Sequence, residues 1–276
     1  MSSYPLFIIG GGAGSGKDTV AEMLVHRRRG AMIAQADPMK RFVQQGFGFT
    51  SVQLWGPSSS RNAPDERFAA DAPQAFSDAS AKIFFTDLAE IWLNEIGAPG
   101  AFQALRTWFD NLREAYLTKP LTPRATLQLL GTEFGRAVSP DIWSQRAISY
   151  SDALLRGGYS YDKENGVFKD AGNPGHNFVV ITDGRFRNEI LNVKSLGGKA
   201  IQIVNPADQA DQAKVEAAGV KGHASEAELK GIPRNWYDRH FVNDKTLGLE
   251  VCRQKVTKLA LTLGVATELE IEESTR

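Results

Sequence analysis

The amino-acid sequence predicts an α/β fold with a five-stranded, mainly parallel sheet flanked by helices. Five short apolar runs have the length of buried strands, and segments with helical spacing lie between most of them. Strands that alternate with helices are typical of a parallel sheet covered on both faces. A glycine-rich loop also joins the first apolar run directly to the first helical segment, which is typical of the strand–loop–helix units of α/β folds.

The predicted strands comprise residues 4–9, 31–35, 178–182, 201–204 and 241–242. Asn165-Gly166 lies between alternating polar and apolar residues and predicts a separate β-hairpin over 159–170. The first helix is predicted from Asp18 to Arg29, because Gly30 then stops the helical pattern. Residues 268–276 are charged, and we expect a frayed tail there.

The middle of the chain has a different character. Residues 50–80 are polar and lack a clean period, which predicts a surface excursion between helices. Residues 81–117 have helical spacing with a break at 97–100, and their aromatic stripe, which includes Phe85 and Ile91, favours a core position over a base-stacking surface. Thr122-Pro123 predicts a helix start, with the helix running to about Val138 and another following to Leu155.

Composition limits the function classes. The 276 residues include 32 Lys plus Arg and 32 Asp plus Glu, so no overall charge favours nucleic acid or an anionic membrane. The single cysteine, Cys252, forms no disulfide within the chain and is expected to be a buried helical thiol. No apolar run reaches the ~20 residues of a membrane span, and none fits a signal peptide, so we expect a cytoplasmic protein.

The strongest local signal is the glycine-rich segment that begins at Gly11 and continues through Gly12, Ala13, Gly14, Ser15 and Gly16 to Lys17, Asp18 and Thr19. It has the G-x4-G-K spacing of a phosphate-binding loop (P-loop) between a strand and a helix. Glycines let successive backbone N–H groups point at phosphate oxygens, and the helix start adds its positive dipole end. Lys17 supplies a charge for the β- and γ-phosphates of a nucleotide.

The loop departs from the common pattern at Asp18. A serine or threonine usually follows the lysine and holds Mg²⁺, whereas Thr19 comes one position too late. Asp18 has two interpretations of equal weight: it binds Mg²⁺ through water, or it caps the helix.

A second group of candidates follows the strand at 178–182. Asp183 lies where parallel strands present ligands, and its carboxylate suits Mg²⁺ or the waters of Mg²⁺. Arg185 and Arg187 follow as candidates for phosphate, and Glu189 could orient one of them or contact substrate. The alternative is a salt-bridged strand end with no ligand.

A third group lies on the helix after Thr122. Arg124, Gln128 and Thr132 have i, i+4 and i+8 spacing and would share one face, on which the guanidinium could bind an acceptor phosphate and the amide a base edge. A solvated polar face is the alternative. Asp37, at the end of the second predicted strand, could contact the acceptor sugar or a metal water, and Lys40 could contact phosphate or solvent.

Five segments together resemble the phage-type deoxynucleoside monophosphate kinases, a group within the P-loop nucleoside monophosphate kinase superfamily. They are residues 15–19 (Ser-Gly-Lys-Asp-Thr), 36–40 (Ala-Asp-Pro-Met-Lys), 124–132 (Arg-Ala-Thr-Leu-Gln-Leu-Leu-Gly-Thr) with Trp143 downstream, 182–189 (Thr-Asp-Gly-Arg-Phe-Arg-Asn-Glu), and 223–226 (His-Ala-Ser-Glu) followed by 242–244 (Val-Asn-Asp). The P-loop segment is highly specific by itself, and the order of the other four adds to it.

The resemblance implies a P-loop NTPase fold and transfer of the γ-phosphate of ATP to a deoxynucleoside monophosphate, with Mg²⁺. Asp183, together with Asp18 in its Mg²⁺ interpretation, is the candidate for placing that ion. It implies one domain over 1–276, with a core at about 4–48 and 176–265, a helical acceptor-binding insertion at about 50–156 and a lid at about 205–228. Lys214, Lys221 and His223 are the candidates for the lid's cationic group. The resemblance is also compatible with a homodimer, a phage origin and a location in the host cytoplasm.

Two other functions remain open at this point. A P-loop kinase for another small phosphorylated metabolite would use the same loop and differ only in its acceptor pocket. A nucleotide-binding switch is the second alternative, although the Asn-Lys-x-Asp guanine signature is absent and Asn243-Asp244-Lys245 has the wrong order. The four histidines and one cysteine show no spacing that predicts a zinc site.

Overall fold

The computed structural model describes residues 4–12, 14–68, 73–207, 228–229 and 231–275. The chain forms two compact units. The first comprises residues 1–35, 147–163 and 167–276, and the second comprises residues 36–146 and 164–166. Within the described residues, no helix is both long enough and apolar enough to cross a membrane.

The first unit contains the predicted five-stranded sheet. Its strands are β1 (Leu6–Gly10), β2 (Gly30–Ile33), β5 (Phe178–Gly184), β6 (Lys199–Val204) and β7 (Arg239–Val242), in the spatial order β2-β5-β1-β6-β7. All the described pairings of the sheet are parallel. A separate two-stranded sheet, β3 (Tyr159–Asp162) with β4 (Gly166–Lys169), confirms the predicted hairpin. The fold is that of an α/β P-loop NTPase.

Helices pack on the sheet as the alternating pattern predicted. They are α1 (Lys17–Val25), α9 (Ile142–Arg156), α10 (Arg187–Ser195) and α11 (Gly248–Leu263), and a further helix, α12 (Glu268–Thr275), follows α11. Alternate residues of the central strand β1 enter two different clusters. Phe7 and Ile9 pack with α1 and α11, whereas Leu6 and Ile8 pack with α9 and α10. Cys252 lies buried in α11, as expected, and burial raises the pKa of its thiol.

The second unit is helical. It contains α2 (Asp37–Phe47), α3 (Ser51–Trp55), α4 (Ser58–Asn62), α5 (Pro73–Phe84), α6 (Leu88–Glu95), α7 (Phe102–Tyr116) and α8 (Pro123–Leu129), followed by a π-helix over Leu130–Arg136. The predicted excursion at 50–80 is therefore wrong, since its described part contains short helices. Phe68 and Phe76 are buried in the same core as Trp92 and Phe109.

The aromatic stripe of residues 84–92 is only partly in this core. Trp92 is buried and donates its indole N–H to Pro38 O at 3.0 Å. Phe85 and Ile91, however, are 80% and 58% exposed. The reason is that α5 ends at Phe84 and α6 begins at Leu88, so one continuous helical period does not extend across the stripe.

The end of α1 differs from the prediction. The helix stops at Val25, and Arg27 and Arg29 adopt positive φ values of 63° and 55°. This turn directs Arg28 inward, where it donates to the terminal carbonyls of Met23 at 2.7 Å and Leu24 at 3.1 Å. A side chain therefore satisfies helix-end carbonyls.

The expected frayed tail is also wrong. Residues 268–275 form α12, and Glu270 accepts a hydrogen bond from Arg28 Nε at 2.9 Å. A second bond joins Arg28 Nη2 to the other carboxylate oxygen, so the contact is bidentate. This pair anchors the C-terminal helix to the end of α1.

Candidate functional site

The loops at the carboxyl edge of the sheet bring several predicted residues together. Gly10, the last residue of β1, pairs with Gly184 at the end of β5, so the P-loop and Asp183 emerge from adjacent strands. At Gly184 a Cβ would lie 2.7 Å from the Ile8 side chain, so this close approach requires glycine. In parallel sheets, ligands bind at this edge.

The P-loop has the strand–loop–helix context that its sequence predicts. It runs from the end of β1 to Lys17, the first residue of α1, and Gly16 is the N-cap residue in the left-handed conformation, with φ 79°. The backbone N–H of Ser15 points across the loop to Gly12 O at 3.2 Å. The start of α1 therefore presents helix-end N–H groups together with a lysine.

Two features of the loop suit an anionic ligand. Ser15 is only 3% exposed, and within the described residues its hydroxyl oxygen has no hydrogen-bond partner. A Cβ on Gly11 would lie 2.6 Å from that oxygen, so glycine leaves space beside it. A buried hydroxyl without a partner is costly, and a phosphate oxygen would satisfy it.

The two residues after the loop form an ion pair. Lys17 Nζ lies 3.5 Å from the Asp18 carboxylate, with side-chain exposures of 16% and 65%. Asp18 lies in the first turn of α1, where its charge is favourable for the helix dipole, but within the described residues no side-chain hydrogen bond caps this helix. The capping interpretation of Asp18 is therefore not observed, whereas the Mg²⁺ interpretation stays a prediction. Thr19 is half-buried in the same turn.

Asp183 is held by the segment that follows β2. Its Oδ1 accepts the backbone N–H of Gln35 at 2.8 Å, and its backbone oxygen lies 3.5 Å from Gln35 Nε2. Gln35 is buried, and the sequence analysis did not identify it. One carboxylate oxygen of Asp183 therefore has a structural role, because it bonds the segment after β2 to the carboxyl end of β5.

Glu189 lies in the protein interior, and its observed contacts are with the backbone of the turn before α10. It is 4% exposed and lies in the first turn of α10. Its Oε2 accepts the backbone N–H groups of Arg185 at 2.7 Å and Phe186 at 3.0 Å. The pKa of Glu189 is raised to about 7; burial is the main cause, the hydrogen bonds from Arg185 and Phe186 oppose the shift, and the nearby Asp183 adds to it. The carboxyl group thus fixes the turn that carries Arg185.

The two arginines after Asp183 are placed differently. Arg185 is half-buried in the turn that Glu189 holds. Arg187 is exposed and donates from Nη2 to Gly231 O at 2.7 Å. A role for Arg187 in substrate binding would need that guanidinium to share its donors with Gly231.

The segment after β7 contributes contacts that the sequence analysis missed. Asn243 Nδ2 donates to Ser15 O at 2.9 Å, and Lys245 Nζ donates to Gly14 O. In sequence, Asn243 belongs to the 242–244 segment of the family resemblance and both residues fail to match a guanine signature, but neither was assigned a contact with the P-loop. Their position directly after a parallel strand was the available signal, because that is where ligand-site loops occur.

In the second unit, the helix that carries Arg124 changes its winding. Arg124 and Gln128 lie one turn apart in α8, as predicted, and both are half-buried. The next residues form the π-helix, so the predicted α-helical face does not extend to Thr132, whose hydroxyl instead donates to Gln128 O at 2.7 Å. The π-helix turns carry more residues than α-helical turns, and such segments are frequent at functional sites.

Packing explains where this winding changes. Trp143 Nε1 donates to Gly131 O at 3.0 Å inside the unit. At Gly135 a Cβ would lie 2.1 Å from the Trp143 ring, so the indole packs directly against the helix backbone. The buried Leu130 and Phe134 anchor the segment in the core.

Asp37 and Lys40 form a cluster at the start of α2. Asp37 is 4% exposed, and its Oδ1 accepts from Lys40 Nζ at 3.1 Å and Trp55 Nε1 at 2.9 Å. Lys40 Nζ also lies 5.5 Å from the centre of the Trp55 ring. Asp37 begins the helix and does not end the strand, because β2 stops at Ile33.

The residues available for a metal fit Mg²⁺ carried by a nucleotide. Within the described ranges, no group of three or more His, Cys, Asp or Glu side chains could hold an ion. Mg²⁺ commonly uses one or two protein carboxylates together with phosphates and water. Asp18 and Asp183 can supply single carboxylates of that kind.

Some predicted residues lie outside the described ranges. They are Ala13 of the P-loop and the lid candidates Lys214, Lys221 and His223. Their roles stay predictions.

Comparison with known proteins agrees with the sequence motifs. The chain is 27% identical over 237 residues to a protein of Acanthamoeba polyphaga mimivirus named "Putative deoxynucleotide monophosphate kinase", and the similar region covers 86% of this chain and 87% of that protein. No protein-family profile matches the chain. The resemblance stated from the motifs is thereby confirmed as a likeness over most of the chain.

Proposed function

We propose that the protein is a nucleotide kinase that transfers the γ-phosphate of ATP to a deoxynucleoside monophosphate. The observation that carries the proposal is the P-loop between β1 and α1, with the buried hydroxyl of Ser15 and the lysine at the helix start. The name of the mimiviral relative supports a deoxynucleotide as acceptor.

In the proposed reaction, an oxygen of the acceptor's phosphate attacks the γ-phosphorus of ATP. The bond from that phosphorus to the oxygen bridging to the β-phosphate breaks, and ADP leaves with the electron pair. The products are ADP and a deoxynucleoside diphosphate. The acceptor phosphate is already anionic near neutral pH, so no general base is required, and positioning and charge stabilisation carry the catalysis.

Residues of the first unit are proposed to bind the donor. The loop from Gly12 to Gly16, including Ala13, would bind the phosphates through backbone N–H groups, and Lys17 would contact the β- and γ-phosphates. Arg185, in the turn fixed by Glu189, would stabilise the negative charge of the transferred group. Asp18 and Asp183 would hold Mg²⁺, which neutralises phosphate charge when it is bound.

Residues of the second unit are proposed to bind the acceptor. Arg124 suits a phosphate because its planar guanidinium binds two oxygens at once. Gln128, one turn later on the same face of α8, offers both a donor and an acceptor to a base edge. Asp37 and Lys40 are further candidates near the start of α2.

The test is ADP release in the presence of ATP and Mg²⁺ with dAMP, dGMP, dCMP, dTMP and the ribonucleotides as acceptors. We expect acceptor-dependent turnover with at least one deoxynucleotide and loss of all turnover in Lys17→Ala. Full activity of Lys17→Ala would contradict the mechanism. ATP hydrolysis that no acceptor stimulates would favour a nucleotide-binding switch. ATP binding without ADP release for any of these acceptors would favour another phosphorylated metabolite as the acceptor.

A further inference from the structure

The segment that follows β7 makes side-chain hydrogen bonds to the backbone of the P-loop. Asn243 is 6% exposed, and its Nδ2 lies 2.9 Å from the carbonyl oxygen of Ser15. The backbone N–H of Asn243 donates to Val204 O at 2.8 Å. The pairing with the end of β6 therefore fixes the backbone from which the Asn243 side chain extends.

Lys245 approaches the same loop from the next turn of the chain. Its Nζ donates to the carbonyl oxygen of Gly14. Between the two residues, Asp244 Oδ1 accepts the backbone N–H of Thr246 at 3.0 Å and its hydroxyl at 2.6 Å. Asp244 thus stabilises the turn over 245–247, and this turn places Lys245 beside the P-loop.

These contacts determine which way the P-loop peptides face. A trans peptide directs its C=O and the following N–H to opposite sides. With Gly14 O and Ser15 O bound to the 243–245 segment, the N–H groups of Ser15 and Gly16 point away from that segment. The N–H of Ser15 accordingly points across the loop toward Gly12 O.

The approach of Asn243 leaves no room for a side chain on the loop. A Cβ on Gly16 would lie 2.2 Å from Asn243 Nδ2, and Gly16 already has a positive φ of 79°. The glycine before Lys17 is therefore required both by its conformation and by the asparagine packed on it.

We propose that Asn243 and Lys245 are positioning residues that orient the P-loop peptides for the phosphates of ATP. The inference rests on the proposed nucleotide site and adds two residues to it. Neither residue needs to contact the ligand, because each acts through a loop carbonyl. The effect should therefore depend on how many phosphates the ligand carries.

The experiment compares Asn243→Asp, Asn243→Ala and Lys245→Met with the parent protein. Asn177→Asp is the matched control, because Asn177 Nδ2 also donates to a backbone carbonyl, Arg28 O at 3.2 Å, but at the start of β5. The dissociation constants of ATP, ADP, inorganic triphosphate and adenosine are measured by calorimetry, and urea unfolding reports the stability of each variant.

We expect Asn243→Asp to weaken ATP and triphosphate binding at least about tenfold, because two acceptors would then face each other at Ser15 O. Asn243→Ala and Lys245→Met should weaken the same ligands by smaller factors. Adenosine binding should change little, and Asn177→Asp should bind every ligand as the parent does. A purely structural role would lower stability without this dependence on phosphate.

A pH series adds a second readout. In the Asn243→Asp variant, the new carboxyl group would again offer a donor to Ser15 O once it is protonated, and burial favours the protonated form. The ATP affinity of Asn243→Asp, divided by that of Asn243→Ala at the same pH, should therefore rise as the pH falls. A ratio that is constant with pH would contradict the donor role of residue 243.

Other outcomes are equally decisive. ATP affinities of Asn243→Ala and Lys245→Met within twofold of the parent would overturn the inference, even where Asn243→Asp does not fold. A parent protein that binds neither ATP nor triphosphate would overturn it as well. ATP binding that depends on Asn243 without transfer to any deoxynucleotide would instead sink the proposed acceptor and leave the positioning role supported.

Discussion

The carboxylate of Glu189 accepts the backbone N–H of Arg185 at 2.7 Å, so a buried acid fixes the turn that presents this arginine. A second bond from the Phe186 N–H reaches the same oxygen at 3.0 Å. A titratable side chain that solvent hardly reaches thus holds the turn after β5, and the effect of its ionisation on stability can be measured.

Stability should depend on pH through Glu189. Its pKa is raised from 4.5 to about 7 in the folded protein, mainly by burial. The folded state therefore binds a proton more tightly than the unfolded chain. This contribution is fully present below about pH 4.5, falls as the pH rises toward 7, and is lost above it.

The variant Glu189→Gln should lack this dependence, since its amide is neutral and its oxygen can still accept from Arg185. The unfolding free energy of the variant minus that of the parent should therefore rise by up to about 3 kcal/mol as the pH increases from 4.5 to 8. Urea unfolding without nucleotide at several pH values measures the difference, and Glu22→Gln on the exposed face of α1 is the control. A parent-to-variant difference that does not change with pH would refute the assignment.

The ion pair between Arg28 and Glu270 should be important for stability. The side chains are 6% and 18% exposed, so removing the carboxylate leaves a buried guanidinium without its counter-charge. We expect Glu270→Ala to lower the unfolding free energy by about 3 kcal/mol, toward the lower end for buried pairs because Arg28 keeps its bonds to two helix carbonyls.

Glu268→Ala, at an exposed position in the same helix, is the matched control and should change stability by less than about 0.5 kcal/mol. Equal losses in the two variants would show that the helix charge, and not the contact with Arg28, matters. Chemical denaturation of both variants beside the parent decides between these outcomes.

The sheet and the P-loop were predictable because their signals are local. Each predicted strand lies within a few residues of the observed one, since five apolar runs separated by helical patterns leave little choice of architecture. The P-loop needed only the spacing of its glycines and Lys17, together with the strand before it and the helix after it.

The missed features arise from contacts between distant parts of the chain. Asn243 and Ser15 are 228 residues apart, and Arg28 and Glu270 are 242 apart. No local period signals that an asparagine will bond to one particular loop carbonyl. The π-helix was missed although Trp143 is only 12 residues from Gly131, since no local period signals that an indole will pack against Gly131 and Gly135.

The two glycines of the π-helix should respond differently to alanine. At Gly135 the new Cβ would lie 2.1 Å from the rigid Trp143 ring, whereas at Gly131 it would lie 3.3 Å from the flexible Met39 sulfur. We expect Gly135→Ala to cost about 3 kcal/mol through overpacking. Gly131→Ala should stay within about 1 kcal/mol of the parent, because Met39 can adapt and alanine favours a helix.

Tryptophan fluorescence during urea unfolding suits this comparison, since Trp55, Trp92, Trp108 and Trp143 all lie in the second unit. Equal stability of the two alanine variants would contradict the close packing of Trp143 on Gly135.

Arg124 should affect the acceptor and not the donor. In Arg124→Ala, kcat/KM for the deoxynucleotide should fall about a hundredfold, as expected for the loss of a bidentate charged contact, while ATP affinity stays unchanged. Arg124→Lys should recover only part of this loss, since lysine keeps the charge but lacks the planar fork. Initial rates at varied acceptor concentration, with ATP binding measured separately, give both quantities.

The control for this prediction is Arg113→Ala, which removes an exposed arginine from the last turn of α7. Arg124 also interacts within the protein, so urea unfolding of each variant is needed to separate lost binding from lost structure. If Arg124→Ala is folded and its kcat/KM stays within twofold of the parent, the guanidinium does not bind the acceptor phosphate. Equal losses of acceptor and ATP affinity would indicate damage to the protein beyond the second unit, because a specific acceptor contact has no reason to weaken donor binding.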